Sequence, residues 1–336
     1  MRDERPVWAP PPWVADRLRE ALPAGWELTE VEAPVSGRGD GGGVSAEAIA
    51  AVRGAEIYLG LGLPRELLRA ALEPPALLRW VHSGAAGVAS ALHPELVDGD
   101  VALTNSAGIH AAPMAETVVG MMLHFARGLD HAVRAQADTQ WDTAIFEQRD
   151  SGVREVAGAT LGIIGYGGIG SEVARRARAL GMRVIATRRS DRAADDAEIL
   201  NGDDAIDHLL TQSDVVVLCV PSTPATRGMV GARELGLMRE GAILINVARG
   251  DVIDEAALID TLSAGRLRGA ALDVFATEPL PHESPLWRMP NVLITPHVSA
   301  TSPRFWEREA QLILDNLRRY LGGEALSNRV DPEAGY

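Results

Sequence analysis

The stretch Leu161-Gly-Ile-Ile-Gly-Tyr-Gly-Gly-Ile-Gly170 decides the fold. Its first four residues form an apolar run that predicts a buried strand, and residues 171–180 predict a helix. The pattern G-x-G-x-x-G between them lets the chain turn tightly, approach a pyrophosphate at the helix N-terminus and pack the helix on the strand. An incidental glycine-rich turn is the alternative. We predict a dinucleotide site at Gly165, Tyr166, Gly167, Gly168, Ile169 and Gly170.

Apolar runs and helical segments alternate on both sides of this motif. Downstream, six runs predict strands, at residues 161–164, 183–187, 215–220, 242–246, 269–273 and 292–295. Six strands that alternate with helices are typical of a doubly wound, mostly parallel α/β sheet. Upstream, shorter runs predict strands near Val7 and at 57–59, 78–81 and 101–103, with helices at 16–22, 45–52 and 65–72. Residues 113–131 predict one long apolar helix, residues 303–321 a final helix, and the glycine-rich residues 36–43 a surface loop.

The composition limits the possible functions. A chain of 336 residues exceeds what one core usually organises, so we expect two domains. No apolar run approaches the ~20 residues of a membrane span. The N-terminus lacks the apolar core of a secretion signal, and the single cysteine cannot form an internal disulfide, so we expect a cytoplasmic protein. A net charge of −14 disfavours nucleic-acid binding.

Every one of the 32 basic residues is arginine, and the chain contains no lysine. This excludes Schiff-base chemistry and a phosphate-loop lysine. A cationic role in catalysis must therefore fall to arginine or histidine.

The end of the second downstream strand bears on the choice of cofactor. An NAD-binding protein usually places an acid there, about 20 residues after the glycine motif, to bond the ribose 2′-hydroxyl. Here the chain reads Arg188-Arg189-Ser190, and arginine binds phosphate bidentately. We therefore predict NADP(H) in preference to NAD(H), with these three residues contacting the cofactor. In the alternative, both arginines are solvated and Asp191 or its loop meets the ribose.

Three downstream strands are followed by residues suited to hydride-transfer chemistry. Arg249, Glu278 and His297 come after the fourth, fifth and sixth strands, at the edge where open α/β sheets bind ligands. Histidine is the natural proton donor near neutral pH, and a neighbouring carboxylate favours its imidazolium form. Arginine can bind a carboxylate through two parallel hydrogen bonds. Each residue alone suits a structural role, but together they favour reduction of a 2-oxo acid. Asp273 either bonds the nicotinamide carboxamide or merely ends its strand.

With these motifs in place, the sequence resembles the D-isomer-specific 2-hydroxyacid dehydrogenases from about Ile57 to Leu321. The resemblance rests on Gly165-Tyr-Gly-Gly-Ile-Gly170, Cys219-Val-Pro-Ser-Thr-Pro-Ala-Thr226, Asn246-Val-Ala-Arg-Gly-Asp251, Leu272-Asp-Val-Phe-Ala-Thr-Glu-Pro279, Ser284-Pro-Leu-Trp287 and Thr295-Pro-His297. It implies that Arg249 binds substrate, that Glu278 pairs with His297, that His297 is the acid/base, and that the reaction is D-specific. It also implies cofactor contacts at Val220, Pro221, Thr226, Val247, Ala248 and Asp273.

The resemblance further implies a fold and an assembly. A Rossmann-type cofactor domain, residues 108–297, would interrupt a flavodoxin-like α/β substrate domain formed by residues 1–107 and 298–336. A homodimer would form largely through the cofactor domain and the helix at 113–131. The loop after the strand at 78–81 resembles the substrate-carboxylate loop of the family, which implies binding through Ser83, Gly84, Ala85, Ala86 and Gly87. An ordinary tight turn is the alternative for that loop.

The leading interpretation is an NADP-preferring reductase of small 2-oxo acids such as glyoxylate or hydroxypyruvate. The eight histidines show no metal-ligand spacing, so we predict no metal.

A related formate dehydrogenase is disfavoured because that chemistry needs no Glu–His pair. A phosphoglycerate dehydrogenase with a regulatory tail is disfavoured because the chain ends soon after Leu321. The alternative of another class is a nicotinamide-sensing binding protein of corepressor type, although no long recruiting tail is present.

Overall fold

The computed structural model describes residues 7–31, 44–88, 91–148, 151–189 and 193–331. The chain divides into two compact units. The first comprises Met1–His110 and Thr301–Tyr336, and the second comprises Ala111–Ala300. The glycine-rich loop predicted at 36–43 lies outside the described residues. Within the described ranges, no helix combines the length and apolarity that crossing a membrane requires.

The first unit is built on a small parallel sheet. In chain order its elements are α1 (Pro12–Ala21), α2 (Ala46–Val52), β1 (Ile57–Gly60), α3 (Arg65–Leu72), β2 (Trp80–Ser83), α4 (Pro94–Val97) and β3 (Ala102–Asn105). The strands lie in the order β1-β2-β3. Their last residues, Gly60, Ser83 and Asn105, are in register. The segments that follow all three strands therefore leave the sheet at the same edge.

The strand predicted near Val7 is wrong, because Val7 and Trp8 lie in a turn. The prolines at positions 10–12 explain this difference. Pro12 begins α1, where its fixed φ angle suits the first helical position, and prolines have no N–H to donate to a sheet. The helix therefore starts four residues earlier than the sequence pattern predicts.

The second unit carries a larger parallel sheet. Its elements are α5 (Ala111–Ala126), α6 (Leu129–Ala137), β4 (Thr160–Ile164), α7 (Gly168–Ala179), β5 (Arg183–Thr187), β6 (Glu198–Leu200), α8 (Ala205–Gln212), β7 (Val215–Leu218), α9 (Ala232–Leu237), β8 (Ile243–Asn246), α10 (Glu255–Ser263), β9 (Gly269–Leu272) and β10 (Val292–Ile294). Short 3-10 turns lie at Ala144–Glu147, Gly250–Val252 and Pro285–Arg288. The strand order is β10-β9-β8-β7-β4-β5-β6, so the chain reverses direction across the sheet between β4 and β7. That reversal is where doubly wound sheets bind ligands.

Two elements of this unit differ from the prediction. The helix expected at 113–131 is two helices, because Gly128 adopts a left-handed φ of 68° between α5 and α6. A Cβ at that glycine would lie 2.8 Å from Phe146 Cε1, so the break is also tightly packed. A seventh strand, β6, was not predicted. It has only three residues and begins with an exposed glutamate, so its sequence shows no periodic pattern of apolar residues.

Alternate strand residues fill two separate cores in this unit. Leu161, Ile163, Val215 and Val217 face the helices α5 and α7. Their neighbours along the strands, such as Ile164, Val216 and Leu218, face α8, α9 and α10. Burial on both faces explains why these strands read as continuous apolar runs rather than as an alternating pattern.

The last helix, α11 (Phe305–Leu321), belongs to the first unit. Ala310 and Ile313 on this helix pack against Val14 and Leu18 of α1. The helix also buries two polar side chains, Glu309 and Asn316. The first unit is therefore assembled from both ends of the chain.

Candidate active site

The glycine motif forms the turn between β4 and α7. Gly165 has a φ of 103°, which a residue with a side chain rarely adopts. The N–H groups of Gly165 and Tyr166 both donate to the carbonyl oxygen of Thr187, at 3.1 and 2.8 Å. A Cβ on Gly170 would lie 2.4 Å from the carbonyl oxygen of Gly165, whereas a Cβ on Gly167 would meet nothing within 4 Å. The turn is thus tight beneath the helix and open at its N-terminus, where a pyrophosphate would lie.

The segment after β7 lies directly beside this turn. A Cβ on Gly165 would lie 2.8 Å from the backbone of Cys219 and from Val220 Cγ1. Thr226 then closes the segment, because its hydroxyl accepts from the N–H of Thr223 at 2.8 Å and donates to the carbonyl oxygen of Pro221 at 2.6 Å. Burial raises the pKa of the Cys219 thiol to about 12, so this cysteine is protonated and a poor nucleophile.

A cationic side chain lies at the end of β5. The guanidinium of Arg188 lies over the ring of Tyr166, 5.7 Å from its centroid. Burial and the nearby carboxylate of Asp196 raise the pKa of the Tyr166 hydroxyl. Arg189 follows at the end of the described segment, and Ser190, which was also predicted to contact the cofactor, lies outside the described residues. The structure therefore brings Arg188 to the glycine motif.

The side chain of Asn246 shapes the turn that carries Arg249. Its amide Nδ2 donates to the carbonyl oxygen of Arg249 at 3.0 Å, and its Oδ1 accepts from the N–H of Ala248 at 3.0 Å. Val247 and Ala248 are buried, so only their backbone is suited to contact a cofactor. Arg249 itself is exposed, with Nη1 donating to the carbonyl oxygen of Ala248 at 2.6 Å.

Glu278 and His297 form a hydrogen-bonded pair. Nδ1 of the imidazole lies 2.8 Å from Oε2 of the carboxylate. The other carboxylate oxygen, Oε1, accepts from the N–H of Phe275 at 3.0 Å, which fixes its orientation. The His297 side chain is 48% exposed, so the far side of the ring can meet a ligand.

Asp273 holds the segment that carries His297. Its carboxylate is fully buried and accepts from the hydroxyl of Thr295 at 2.6 Å and from the N–H groups of Val298 at 2.9 Å and Ser299 at 3.1 Å. His297 has a φ of 56°, an uncommon conformation for a residue with a side chain. Of the two interpretations that the sequence left open, the observed bonds support a structural role at the strand end. The sequence offered no local signal for these bonds.

Gly250 is a site residue that sequence reasoning missed. A Cβ at this position would lie 1.8 Å from the carbonyl carbon of Phe275, so only glycine fits. The turn that carries Arg249 therefore packs directly against the segment that leads from Asp273 to Glu278. The signal in the sequence was the glycine next to Arg249 at the end of a buried strand.

In the first unit, the loop after β2 turns its carbonyl groups toward the protein. The carbonyl oxygen of Ala85 accepts from the N–H of Ser106 at 3.4 Å, and that of Ala86 accepts from Nδ2 of Asn105 at 2.8 Å. In a trans peptide the N–H points opposite to the C=O, so the N–H groups of Ala86 and Gly87 point away from these partners. Both residues are exposed, and within the described chain neither N–H has an acceptor. The loop thus offers two donors suited to an anion.

These features define the class of protein. A doubly wound sheet carries a dinucleotide motif at its point of reversal, and the adjacent strands β8, β9 and β10 are followed by Arg249, Glu278 and His297. A histidine hydrogen-bonded to a carboxylate and an exposed arginine beside a dinucleotide motif are groups suited to a nucleotide-dependent oxidoreductase. No group of three or more metal-ligating side chains occurs in the described ranges.

Comparison with known proteins identifies the family. The family model for the NAD binding domain of D-isomer specific 2-hydroxyacid dehydrogenases matches residues 119–299. A glyoxylate reductase from Korarchaeum cryptofilum is 34% identical over 256 residues, which cover 76% of this chain and 77% of that relative. The chain belongs to the D-isomer specific 2-hydroxyacid dehydrogenases, a family of NAD(P)-dependent oxidoreductases. The resemblance and the fold class predicted from the motifs are confirmed.

Solved structures support the same assignment. A D-isomer specific 2-hydroxyacid dehydrogenase from Xanthobacter autotrophicus, in complex with NADPH and MES, matches with a TM-score of 0.78 and 33% identity, over 96% of this chain and 95% of that chain. An NADPH-dependent glyoxylate/hydroxypyruvate reductase from Sinorhizobium meliloti, in complex with NADP and sulfate, has a TM-score of 0.73 and 32% identity, over 84% of this chain and 87% of that chain.

Proposed function

We propose that this protein reduces a small 2-oxo acid, such as glyoxylate or hydroxypyruvate, to the D-2-hydroxy acid with NADPH as the preferred reductant. The observation that carries the proposal is the Glu278–His297 pair, 2.8 Å apart at the edge of a dinucleotide-binding sheet. The names of the similar reductases from Korarchaeum cryptofilum and Sinorhizobium meliloti support the substrate class.

His297 acts as the proton donor in this proposal. Because Nδ1 faces Glu278, the proton that leaves the ring comes from Nε2 and goes to the carbonyl oxygen of the substrate. The cofactor, when bound, supplies the hydride that the carbonyl carbon accepts. The carboxylate of Glu278 stabilises the imidazolium before transfer and holds the ring in place by its bond to the N–H of Phe275. In the reverse reaction the neutral ring accepts the hydroxyl proton.

Each unit offers a group suited to a substrate carboxylate. Arg249 presents an exposed guanidinium on a turn braced by Asn246, and a guanidinium can donate two parallel hydrogen bonds to a carboxylate. The loop formed by Ser83, Gly84, Ala85, Ala86 and Gly87 contributes the outward-pointing N–H groups of Ala86 and Gly87.

The residues present fit a dinucleotide. The open space beside Gly167 lies at the N-terminus of α7, where the first helical N–H groups and the helix dipole favour a pyrophosphate. Val220, Pro221 and Thr226 form the segment packed beside Gly165, and the backbone of Val247 and Ala248 follows the adjacent strand. We propose that these residues hold the cofactor and that Asp273 acts mainly through the segment carrying His297.

The preference for NADPH rests on Arg188 and Arg189. Arg188 lies over Tyr166, so its charge stands at the end of β5, where the ribose 2′-position is bound in this fold. An arginine at this place accommodates a 2′-phosphate, whereas an acid would repel it. Asp196 lies near Tyr166 and is an acidic group that opposes this preference.

We also propose a homodimer. Leu129 and Val133 on α6 are 48% and 58% exposed, and Trp141, shortly after that helix, is 98% exposed. Leu129 and Val133 are four residues apart and so lie on one face of α6, and large apolar side chains exposed together commonly mark a protein interface. Light scattering coupled to size exclusion tests this proposal, and a monomer at micromolar concentration would contradict it.

The reaction is tested by mixing the protein with glyoxylate, hydroxypyruvate, pyruvate and a larger 2-oxo acid, each with NADPH and with NADH. We expect loss of reduced-nicotinamide absorbance that depends on the 2-oxo acid, faster with NADPH, and a D-configured product from prochiral acids. Arg249→Ala should abolish most turnover while the dissociation constant of NADPH changes little. Binding of NADPH without turnover of any acid would contradict the proposal and favour a nicotinamide sensor.

A further inference from the structure

A second cluster of buried polar side chains lies in the first unit, apart from Arg249, Glu278 and His297. His82, Thr104, Ser106 and Glu309 are each at most 1% exposed. Three of them stand at the carboxyl ends of β2 and β3, and Glu309 reaches them from α11, 227 residues along the chain from His82. A carboxylate is rarely buried so completely unless it is bonded on several sides.

The hydrogen bonds of this cluster converge on the carboxylate of Glu309. A carboxylate only accepts, so Nε2–H of His82 donates to Glu309 Oε1 at 3.0 Å, and the Ser106 hydroxyl donates to Oε2 at 2.7 Å. On the other side of the ring, Nδ1 of His82 lies 2.8 Å from Thr104 Oγ1, which accepts from the indole Nε1 of Trp80 at 2.8 Å. Both carboxylate oxygens are therefore bonded.

Glu309 also lies directly beneath the loop that follows β2. A Cβ on Gly84 would lie 3.1 Å from Glu309 Oε1 and 2.8 Å from Leu61 Cδ2, so the loop and the carboxylate are in close contact. The Ser106 hydroxyl lies 3.1 Å from the carbonyl oxygen of Ser83, and the backbone N–H of Ser106 donates to the carbonyl oxygen of Ala85. A change at Glu309 is therefore transmitted to the loop through Ser106 and by direct contact.

We propose that Glu309 is a positioning residue for substrate binding: through His82 and Ser106 it fixes the loop whose Ala86 and Gly87 N–H groups bind the substrate carboxylate. This inference rests on the function proposed above. It assigns α11 a role in substrate affinity, although Glu309 does not itself touch the substrate. A buried carboxylate suits this role because it accepts strong hydrogen bonds from two sides at once.

The isosteric variant Glu309→Gln separates position from charge. Its amide oxygen can accept from Nε2–H of His82, and its NH2 can donate to Ser106 Oγ, whose hydrogen then turns to the carbonyl oxygen of Ser83. The glutamine thus keeps the loop bonded without the charge. Glu309→Ala removes both bonds to the carboxylate. Ser106→Ala removes the bond to Oε2 and the hydroxyl contact with Ser83, and it keeps the bond from His82 to Oε1. Glu307→Ala is the matched control, because Glu307 lies two residues away on α11 with a side chain 57% exposed.

The experiment measures KM for glyoxylate, kcat, the dissociation constant of NADPH and, by calorimetry on the NADPH-loaded protein, that of oxamate, whose amide carbonyl resists reduction. We expect Glu309→Ala to weaken glyoxylate and oxamate binding about tenfold or more, and Ser106→Ala about threefold, because the serine variant removes one of the two bonds to the carboxylate and the glutamate variant removes both. NADPH binding should change less than twofold in both variants. Glu309→Gln and Glu307→Ala should stay within about twofold of the wild type in every constant.

Unchanged oxamate affinity in Glu309→Ala would overturn the inference, as would an equal loss of NADPH and oxamate affinity. Failure of Glu309→Gln to restore affinity would refute the hydrogen-bond account. If Glu309→Ala does not fold, Ser106→Ala and Glu309→Gln still decide the question. A wild type that binds oxamate but reduces no 2-oxo acid would contradict the proposed function alone, and the oxamate affinities of the variants would still test Glu309.

Discussion

The backbone N–H of His297 donates to the carbonyl oxygen of Asp273 at 2.9 Å, and the carboxylate of the same aspartate bonds the two residues that follow the histidine. The imidazole is therefore oriented from two directions. Glu278 bonds the ring, and Asp273 bonds the backbone that carries the ring in its left-handed conformation.

Asp273→Asn should lower both stability and kcat. The amide keeps one acceptor oxygen, but its NH2 then faces the N–H of Val298 or Ser299, so at least one buried bond is lost at a cost of about 1–3 kcal/mol. Urea denaturation and steady-state kinetics measure the two effects. The dissociation constant of NADPH should change little, and a large rise in it would favour a direct contact with the cofactor. Thr295→Val, which removes a single bond to the same carboxylate, should have a smaller effect.

Gly250→Ala should damage the site through backbone displacement. The new Cβ would lie 1.8 Å from the carbonyl carbon of Phe275, which is backbone and cannot rotate away. We expect a loss of about 3 kcal/mol or more in the free energy of unfolding, beyond ordinary overpacking, together with loss of turnover. Thermal unfolding and kcat report the change. Gly236→Ala in α9 is the matched control, since its Cβ meets nothing within 4 Å and alanine favours a helix. Equal behaviour of the two variants would contradict the packing argument.

Arg188→Asp should move the cofactor preference toward NADH. An acid at the end of β5 repels a 2′-phosphate and can accept from a ribose 2′-hydroxyl. We expect kcat/KM for NADPH to fall about a hundredfold, as for loss of a charge-assisted bond, and that for NADH to rise. Parallel titrations with the two cofactors measure the ratio. If the ratio of kcat/KM for NADPH to that for NADH stays at the wild-type value, Arg188 does not contact the 2′-phosphate.

Stability should fall as the pH is lowered below about 6.5. Burial lowers the pKa of His124 and of His131; Asp130 opposes this shift, and Arg268 adds to it. The pKa of each histidine is lower in the folded protein than in the unfolded chain, where it is about 6.5. Above about pH 6.5 both histidines are neutral in both states, and their contribution to the free energy of unfolding is complete. As the pH falls from there through the folded-state pKa, the unfolded chain binds protons first, so this contribution is lost. Denaturation midpoints across this range should decline less steeply in His124→Asn. His208→Asn, at an exposed position on α8, controls for removal of a histidine. A slope that His124→Asn leaves unchanged would refute the assignment.

The sequence predicts the inner strands of the larger sheet well because they are largely buried on both faces. The predicted strands 183–187 and 269–273 lie within one residue of β5 and β9. Arg249, Glu278 and His297 could be placed at one edge of the sheet because parallel strands end together. By contrast, β6 is too short for periodicity, and the break at Gly128 follows from packing around a single residue.

Contacts between distant residues could not be predicted in the same way. The bonds of Asp273 to Val298 and Ser299 join segments about 25 residues apart, and the Glu309–His82 bond joins segments 227 residues apart. Nothing local marks either carboxylate, because aspartate after a strand and glutamate on a polar-looking helix are usually solvated. Their partners become visible only once topology brings the segments together.

The return of α11 to the first unit has a consequence for biosynthesis. The second unit is continuous in sequence, so all of its residues are synthesised before α11. Until that helix emerges, Val14 and Leu18 have no cover, His82 lacks its carboxylate partner and Leu103 lacks the N–H of Val330 that its carbonyl oxygen accepts. The amino-terminal part of the first unit therefore stays without these partners, with apolar surface exposed to chaperones, until α11 and Val330 have been synthesised.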